Sequence, residues 1–220
     1  MKTVIFDLDG TLADTSGDLI AAANVCFRGL GFGDLLDPAR DQGTALRGGR
    51  AMLTLGFSRV EGDFTYEIDR QYPVLLDAYG QDIDTHTVMY PGAMDAVEAL
   101  KSAGYGVGIC TNKPEGLAET LMTRLGVRDA FASLIGADTL PVRKPDPEPL
   151  FEAARRAGGD PALTCLVGDT ITDRSTAKAA GVPSILVTFG PSGDDMAALT
   201  PEALIDHFDD LPATVDRLFG

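Results

Sequence analysis

The sequence lacks the features that mark membrane-spanning, secreted and disulfide-stabilised proteins. Among its 220 residues, no apolar run approaches the roughly 18 residues that a transmembrane helix needs. The first apolar run is interrupted at Asp7, which is not the pattern of a signal peptide. The three cysteines are an odd number at wide spacing, so they suggest neither a disulfide framework nor a metal-ligand cluster. We therefore expect a cytoplasmic protein that does not associate with a membrane.

Basic residues are also scarce. The chain has 18 Lys and Arg against 33 Asp and Glu, a formal net charge of −15 at pH 7, which argues against a general basic surface for nucleic acid. One segment departs from this balance, because residues 40–59 carry a single acid, Asp41. Its basic residues either face an anionic ligand or are solvated surface arginines. They are Arg40, Arg47, Arg50 and Arg59.

Short apolar runs alternate with helical patterns through most of the chain, which is typical of a parallel α/β sheet. The apolar runs predict six strands, at residues 4–6, 106–110, within 131–135, 163–167, 184–187 and 204–205. The helical patterns between them cover residues 93–103, 117–125, 147–157 and 174–180. The tail from residue 193 to 220 is interpreted as an edge helix and loop. We expect an α/β core with a doubly wound, Rossmann-like parallel sheet.

Residues 15–85 interrupt this alternation. They separate the first two predicted strands by far more chain than a direct crossover needs, and they predict helices at residues 16–30, 45–55 and 65–79. We expect a Rossmann-like catalytic core of residues 1–14 and 86–220, with a helical cap domain of residues 15–85 inserted after the first strand. An insert tethered at both ends beside that strand is positioned to act as a lid.

The first polar motif, residues 7–12, follows the first predicted strand. Side chains two apart in an extended chain point the same way, so Asp7 and Asp9 can share one site. Two desolvated carboxylates repel each other, so such a pair suits either a metal site or a nucleophile with an acid/base partner. Gly10 and Thr11 let the chain turn and offer donors to an anion. A capping turn rich in Asp and Gly is the alternative.

The second acidic motif, residues 168–173, follows the fourth predicted strand. Asp169 and Asp173 are four residues apart at a helix start and therefore lie on one helical face. Helix capping would explain either residue alone. In a doubly wound sheet the fourth strand lies beside the first, so the two acidic motifs are expected to meet at one edge. Hard oxygen ligands of this kind suit Mg²⁺.

Two further motifs add donors and a cation. Thr111 and Asn112 follow the second predicted strand and can hold phosphate oxygens beside the next helix N-terminus. Lys144, which precedes Pro145, is a compact cation that can neutralise phosphate and carboxylates together. In isolation, a plain turn and a surface lysine would explain these two motifs. However, all four motifs fall at carboxyl ends of predicted strands, where open α/β sheets bind ligands.

In this order the motifs resemble those of the haloacid dehalogenase-like hydrolase superfamily. Residues 7–12 are similar to its DxDGT motif, Thr111 to the Ser/Thr after its second strand, Lys144 to its third motif, and residues 168–173 to its GDxxxD motif. The helical insert is similar to the cap of phosphoglycolate phosphatases and β-phosphoglucomutases. Residues 9–15 and the chain length favour the phosphoglycolate phosphatase-like branch.

The resemblance implies a phosphoric monoester hydrolase that forms an aspartyl-phosphate. Asp7 would attack phosphorus, while Asp9 would protonate the leaving oxygen and then deprotonate water. Mg²⁺ would be held by Asp7, the backbone carbonyl of Asp9 and Asp169, with Asp173 supporting its water ligands. Thr111 and Lys144 would hold the phosphoryl group. The residues expected to bind substrate are Gly10, Thr11, Asn112, Arg47 and Arg50.

The expected partner is a small phosphorylated metabolite, and 2-phosphoglycolate is the candidate that the resemblance suggests. The protein is expected to be a monomer or a homodimer. An acid at position 9 favours phosphoester chemistry over cleavage of a carbon–halogen bond. A β-phosphoglucomutase-like phosphosugar mutase would share every core residue and is the alternative function. A non-enzymatic phospho-accepting signalling domain is a distant alternative, disfavoured by the acid pair on the first strand and by the helical insert.

Overall fold

The chain forms two compact units. The computed structural model describes residues 1–190 and 195–220, so the first two residues of the predicted tail, 193 and 194, lie outside the described residues. One unit consists of residues 1–13 and 89–220, and the other of residues 14–88. The boundaries inferred from the sequence, 14/15 and 85/86, differ from these divisions by one residue and by three residues.

A six-stranded parallel sheet forms the centre of the first unit, in the order β5-β4-β1-β6-β7-β8. The strands, in chain order, are β1 (Thr3–Phe6), β2 (Ala13–Asp14), β3 (Val88–Met89), β4 (Gly106–Cys110), β5 (Ser133–Ile135), β6 (Thr164–Gly168), β7 (Ser184–Val187) and β8 (Ala203–Ile205). The two-residue strands β2 and β3, where the chain passes between the units, pair with each other. All six predicted strands are present, and the predicted doubly wound α/β sheet is confirmed.

The register of the central strand determines where the polar motifs meet. Phe6, the last residue of β1, is paired with Ile109 of β4 and with Val167 of β6. The residues that follow these three strands therefore emerge at the same carboxyl edge of the sheet. Successive strands are added first on one side of β1 and then on the other. This change of side makes the carboxyl edge beside β1 the topological switch point, where open α/β sheets bind ligands.

Nine α-helices are found among the described residues. They are α1 (Ser16–Gly29), α2 (Gln42–Ala45), α3 (Gly49–Phe57), α4 (Thr65–Gln81), α5 (Ala93–Ser102), α6 (Glu115–Arg124), α7 (Glu148–Arg156), α8 (Ile171–Ala180) and α9 (Leu211–Phe219). The first four belong to the second unit and the rest to the first. No helix in residues 1–190 or 195–220 combines the length and the apolar character needed to cross a bilayer.

The predicted single helix over residues 45–55 is wrong. The chain instead forms α2 and α3 on either side of a break at residues 46–48. Gly48 adopts a φ of 95°, a left-handed backbone conformation that residues other than glycine rarely adopt. Two consecutive glycines, Gly48 and Gly49, also have low helix propensity. The apolar pattern of this segment therefore continues across a point where the backbone turns.

The helical unit has its own core. Phe27 of α1 meets Phe57 of α3 edge to face, with ring centroids 5.1 Å apart, and Phe57 stacks on Phe64 at 4.7 Å. Asp18 is buried and accepts hydrogen bonds from the backbone amides of His86 and Thr87, at 2.9 Å each. These contacts join the start of the unit to its end, so the insert is a packed unit rather than a loop.

Candidate active site

Three buried carboxylates converge at the carboxyl edge of the sheet. Asp7 follows β1, Asp169 follows β6, and Asp173 lies in the first turn of α8. Each offers a carboxylate oxygen, and these oxygens all lie within 4.8 Å of one another. The two predicted acidic motifs therefore meet, as the sheet order required. We call these three residues the acidic cluster.

Asp7 is held rigidly within this cluster. Its backbone amide donates to the carbonyl of Val167 at 2.8 Å, and its Oδ1 accepts a hydrogen bond from the amide of Leu8 at 2.7 Å. The ammonium of Lys144 lies 3.1 Å from the same oxygen. Burial raises the pKa of Asp7 to about 6, although the charge of Lys144 acts in the opposite direction. Without a further cation, this carboxylate is therefore costly to ionise.

Asp173 has two roles at the start of α8. Its Oδ2 accepts hydrogen bonds from the amide and hydroxyl of Thr170, at 3.1 and 2.6 Å, which closes a capping box. Its Oδ1 accepts a hydrogen bond from Lys144 at 2.6 Å. Gly168 makes this packing possible, because a Cβ there would lie 2.4 Å from the Asp173 side chain. The N-cap of α8 is Thr170, and Asp173 contributes to capping as the third helical residue, which does not exclude a role in the cluster.

Asp169 provides the clearest sign of a site that could hold a cation. Its Oδ1 accepts a hydrogen bond from the hydroxyl of Thr11 at 2.8 Å, whereas its Oδ2 is buried and has no hydrogen-bond partner among the described residues. Burial, reinforced by the charges of Asp173 and Asp7, raises the pKa of Asp169 well above its ordinary value. A buried carboxylate oxygen without a partner is costly unless it binds a cation. The hard oxygen donors of the acidic cluster therefore fit a divalent metal ion.

Lys144 is the cation of the cluster and not a surface lysine. Its side chain is only 2% exposed and contacts both Asp173 and Asp7. Burial alone would lower its pKa, but the charges of Asp173 and Asp7 raise it above the ordinary value. Lys144 is therefore positively charged at neutral pH. One lysine does not balance three carboxylates, so the cluster still favours an additional cation.

Thr111 and Asn112 lie at the same edge but differ in their contacts. The Oγ1 of Thr111 accepts a hydrogen bond from the amide of Lys113 at 3.2 Å, so its own O–H can donate to an anion. The Nδ2 of Asn112 instead donates to the backbone carbonyl of Lys144 at 3.0 Å. Asn112 therefore fixes the segment that carries Lys144, a contact that the sequence did not predict.

Lys113 is the residue that the sequence interpretation passed over. It is buried, and its ammonium lies 2.8 Å from Oδ1 of Asp9. Its only sequence signal was its place beside Thr111 in a motif at the end of a strand.

Gly10, which follows Asp9, has a φ of 81°, and its amide donates to the carbonyl of Ala13. This left-handed turn folds the chain back after Asp9.

The arginine-rich segment of the helical unit has more acidic partners than its sequence suggested. Arg47 is exposed, and the guanidinium of Arg50 lies 4.6 Å from the ring centroid of Tyr72. Arg40, Arg50 and Arg59 form ion pairs within their own unit, and two of these pairs are with acids outside residues 40–59. These pairs are Arg40–Asp37, Arg50–Asp69 and Arg59–Asp41.

Comparison with known proteins identifies the class. The haloacid dehalogenase-like hydrolase family model matches residues 1–181. A phosphoglycolate phosphatase of Mesorhizobium japonicum is 39% identical over 211 residues, which cover 94% of this chain and 92% of that protein. A phosphoglycolate phosphatase of Agrobacterium fabrum is 37% identical over 218 residues, which cover 97% and 92%.

Solved structures share the fold. A predicted phosphoglycolate phosphatase from Haemophilus somnus superposes with a TM-score of 0.84 at 24% identity, covering 97% of each chain. CbbY from Rhodobacter sphaeroides, in complex with phosphate, superposes with a TM-score of 0.77 at 24% identity, covering 98% of this chain and 99% of that one.

The family match and the curated relatives show that the chain belongs to the haloacid dehalogenase-like hydrolase family. Within that family it is a phosphatase, that is, a phosphoric monoester hydrolase, of the phosphoglycolate phosphatase-like group.

Proposed function

We propose that this phosphatase requires Mg²⁺ and hydrolyses a small phosphorylated metabolite through an aspartyl-phosphate on Asp7. The observation that carries the proposal is the acidic cluster, in which the buried Oδ2 of Asp169 has no hydrogen-bond partner within residues 1–190 and 195–220. Such a site needs a cation, and a phosphoryl group brings further negative charge that a cation and Lys144 would neutralise. Phosphoryl transfer depends chiefly on such neutralisation and on positioning.

Asp7 and Asp169 would hold the metal ion, together with the backbone carbonyl of Asp9, while Asp173 would support its water ligands. When bound, the ion would neutralise charge on the phosphoryl oxygens and on the carboxylates. The polar donors around Asp7 fix the orientation of its carboxylate, so little reorganisation precedes attack. Thr111 would donate its hydroxyl proton to a phosphoryl oxygen, and Lys144 would contact another. Gly10, Thr11 and Asn112 would shape the phosphate site through the contacts described above.

The reaction divides into two displacements. In the first, a carboxylate oxygen of Asp7 forms a bond to phosphorus, the bond from phosphorus to the ester oxygen breaks, and Asp9 gives its proton to that oxygen. In the second, Asp9 takes a proton from a water molecule as the water oxygen attacks phosphorus. The acyl-phosphate bond then breaks, so that inorganic phosphate leaves and the Asp7 carboxylate is restored.

The proposed substrate is 2-phosphoglycolate. It is supported by relatives named phosphoglycolate phosphatase at 39% and 37% identity over nearly the whole chain. We propose that residues 15–85 act as a cap over the site, and that Arg47 or Arg50 contacts the substrate's second anionic group. If Arg47→Ala and Arg50→Ala both leave the KM for 2-phosphoglycolate unchanged, the arginine assignment is wrong.

The function is tested by measuring phosphate release from a panel of phosphorylated metabolites with and without Mg²⁺. We expect release from 2-phosphoglycolate that requires the metal and disappears in Asp7→Asn. The matched control is Asp129→Asn, the same change at an exposed position of the first unit. Mg²⁺-dependent release from other esters alone would keep the mechanism and exclude the substrate. Conversion of β-glucose 1-phosphate to glucose 6-phosphate without phosphate release would indicate a mutase instead.

A further inference from the structure

Lys113 has no role in the two displacements described above, yet it occupies a costly position beside them. Its side chain is 3% exposed, and its ammonium lies 2.8 Å from Oδ1 of Asp9. Burying an ammonium costs several kcal/mol even when it is paired, and a well-packed apolar side chain is often no less stable at such a position. A purely structural explanation for this lysine is therefore weak.

The two buried lysines also contact different carboxylates at this edge. Lys144 contacts Asp7 and Asp173, whereas Lys113 contacts Asp9. The two buried lysines thus divide the carboxyl edge into two parts, one at the nucleophile and one at the proposed acid. Lys113 therefore places a positive charge beside the proposed acid.

The chemistry of the proposed reaction places the substrate's leaving group there. A general acid lies about 3 Å from the oxygen that it protonates, so the ester oxygen must approach Asp9 to this distance. In 2-phosphoglycolate, the carbon that bears this oxygen also bears the carboxylate. A carboxylate so attached falls within reach of a cation that already contacts Asp9. An ammonium has three N–H donors, so contact with Asp9 does not prevent contact with a second carboxylate.

From this juxtaposition we propose that Lys113 binds the carboxylate of the substrate, and that it selects phosphoesters carrying an anionic group next to the carbon that bears the ester oxygen. The inference rests on the proposed function, whose substrate it makes specific. It assigns the contact with the substrate carboxylate to a residue of the same unit as Asp7 and Asp9. The proposed contacts of Arg47 or Arg50 would be additional.

The test compares two alkyl esters with similar leaving groups, 2-phosphoglycolate and 2-hydroxyethyl phosphate, which has a hydroxymethyl group in place of the carboxylate. The variants are Lys113→Met and Lys113→Gln, and the matched control is Lys101→Met, a lysine on α5 that pairs with Glu98. The readout is the ratio of kcat/KM for the two esters. This ratio does not depend on the concentration of active enzyme, so partial unfolding of a variant does not affect it.

We expect the wild-type enzyme to prefer the carboxylate ester. Both Lys113 variants should lower this preference about 10- to 100-fold, the range for loss of a hydrogen bond between charged groups. The loss should appear mainly as a higher KM for 2-phosphoglycolate. Lys113→Arg should restore part of the preference, and Lys101→Met should leave it unchanged. Inhibition by phosphonoacetate, which keeps the carboxylate but cannot be hydrolysed, should weaken in the Lys113 variants.

An equal loss of kcat/KM for both esters would overturn the inference, because Lys113 would then act through Asp9 alone while the proposed function stood. A wild-type enzyme without preference for the carboxylate ester would overturn it as well. Release of phosphate from neither ester by the wild-type enzyme with Mg²⁺ would refute the proposed substrate, and the inference with it, whereas the panel of other esters tests the mechanism separately. That outcome is recognised before any variant is measured.

Discussion

Replacement of the proposed nucleophile should make the metal-free protein more stable while removing its activity. Asp7 lies in the acidic cluster, where burial raises its pKa from an ordinary 3.8 to about 6. Asn at this position keeps the shape of the side chain without its charge. In Asp7→Asn the cost of holding an ionised carboxylate at this position therefore disappears.

The sign and size of the effect follow from linkage between proton binding and folding. The folded protein binds the Asp7 proton more tightly than the unfolded chain does. The stability gained from this tighter proton binding is thus complete below about pH 4 and is lost as the pH rises to about 6. The rise in pKa from 3.8 to about 6 corresponds to about 3 kcal/mol. In the metal-free state near pH 7.5, Asp7→Asn should therefore be more stable than the wild type by up to about 3 kcal/mol.

The assay is urea unfolding in the presence of a chelator at several pH values between 5 and 8. The advantage of Asp7→Asn should grow from pH 5 to about pH 7 and then level off. Added Mg²⁺ should reduce or reverse it, because a bound cation stabilises the wild-type cluster by mass action. Asp129→Asn should behave like the wild type. A metal-free Asp7→Asn protein that is less stable than the wild type at pH 7.5 would refute this reasoning.

Three further predictions concern the same cluster. Lys144→Met should remove activity and destabilise the protein by about 3–5 kcal/mol, because it leaves buried carboxylates without their cation. Urea unfolding measures this loss of stability. Adding Asp173→Asn should recover part of the lost stability. Gly168→Ala should displace Asp173, because a new Cβ would lie 2.4 Å from the Asp173 side chain. Mg²⁺ activation should then weaken about 10- to 100-fold. The control Gly116→Ala, whose new Cβ has no heavy atom within 4 Å, should leave Mg²⁺ activation unchanged. Asp169→Asn should raise the Mg²⁺ concentration for half-maximal activity at least about 10-fold; an unchanged requirement in a Mg²⁺ titration would show that its buried oxygen does not bind the metal.

The strands and the polar motifs were predictable from the sequence. Strands buried on both faces of a parallel sheet need short, continuous apolar runs, and the run at residues 4–6 is completely buried in β1. Right after such a run, a polar residue such as Asp7 can lie only at the carboxyl edge. The order of the motifs then indicated which edge residues meet, because a doubly wound sheet brings its first and fourth predicted strands together.

The helix boundaries and the partners of charged side chains were not predictable in the same way. The apolar pattern of residues 45–55 continued through Gly48, where the backbone in fact turns. The arginines near it looked unpaired because Asp37 and Asp69, two of their partners, lie outside the segment that contains them. Asp37 precedes Arg40 by only three residues, whereas Asp69 of α4 reaches Arg50 of α3 through packing that a charge count along the chain cannot find.

The sequence and the tertiary structure likewise each account for part of the chemistry of the site. The sequence by itself determined that carboxylates, a hydroxyl and a lysine follow buried strands, since local apolar runs and turns are sufficient to place them at one edge. Only the tertiary structure decided that Asp169 has a buried oxygen without a partner in the described part of the chain, that Asn112 holds the backbone of Lys144, and that Lys113 pairs with Asp9. The reason is physical: burial and the direction of a side chain depend on neighbours that are distant in the sequence, such as Asp9 and Lys113, and no local pattern records them.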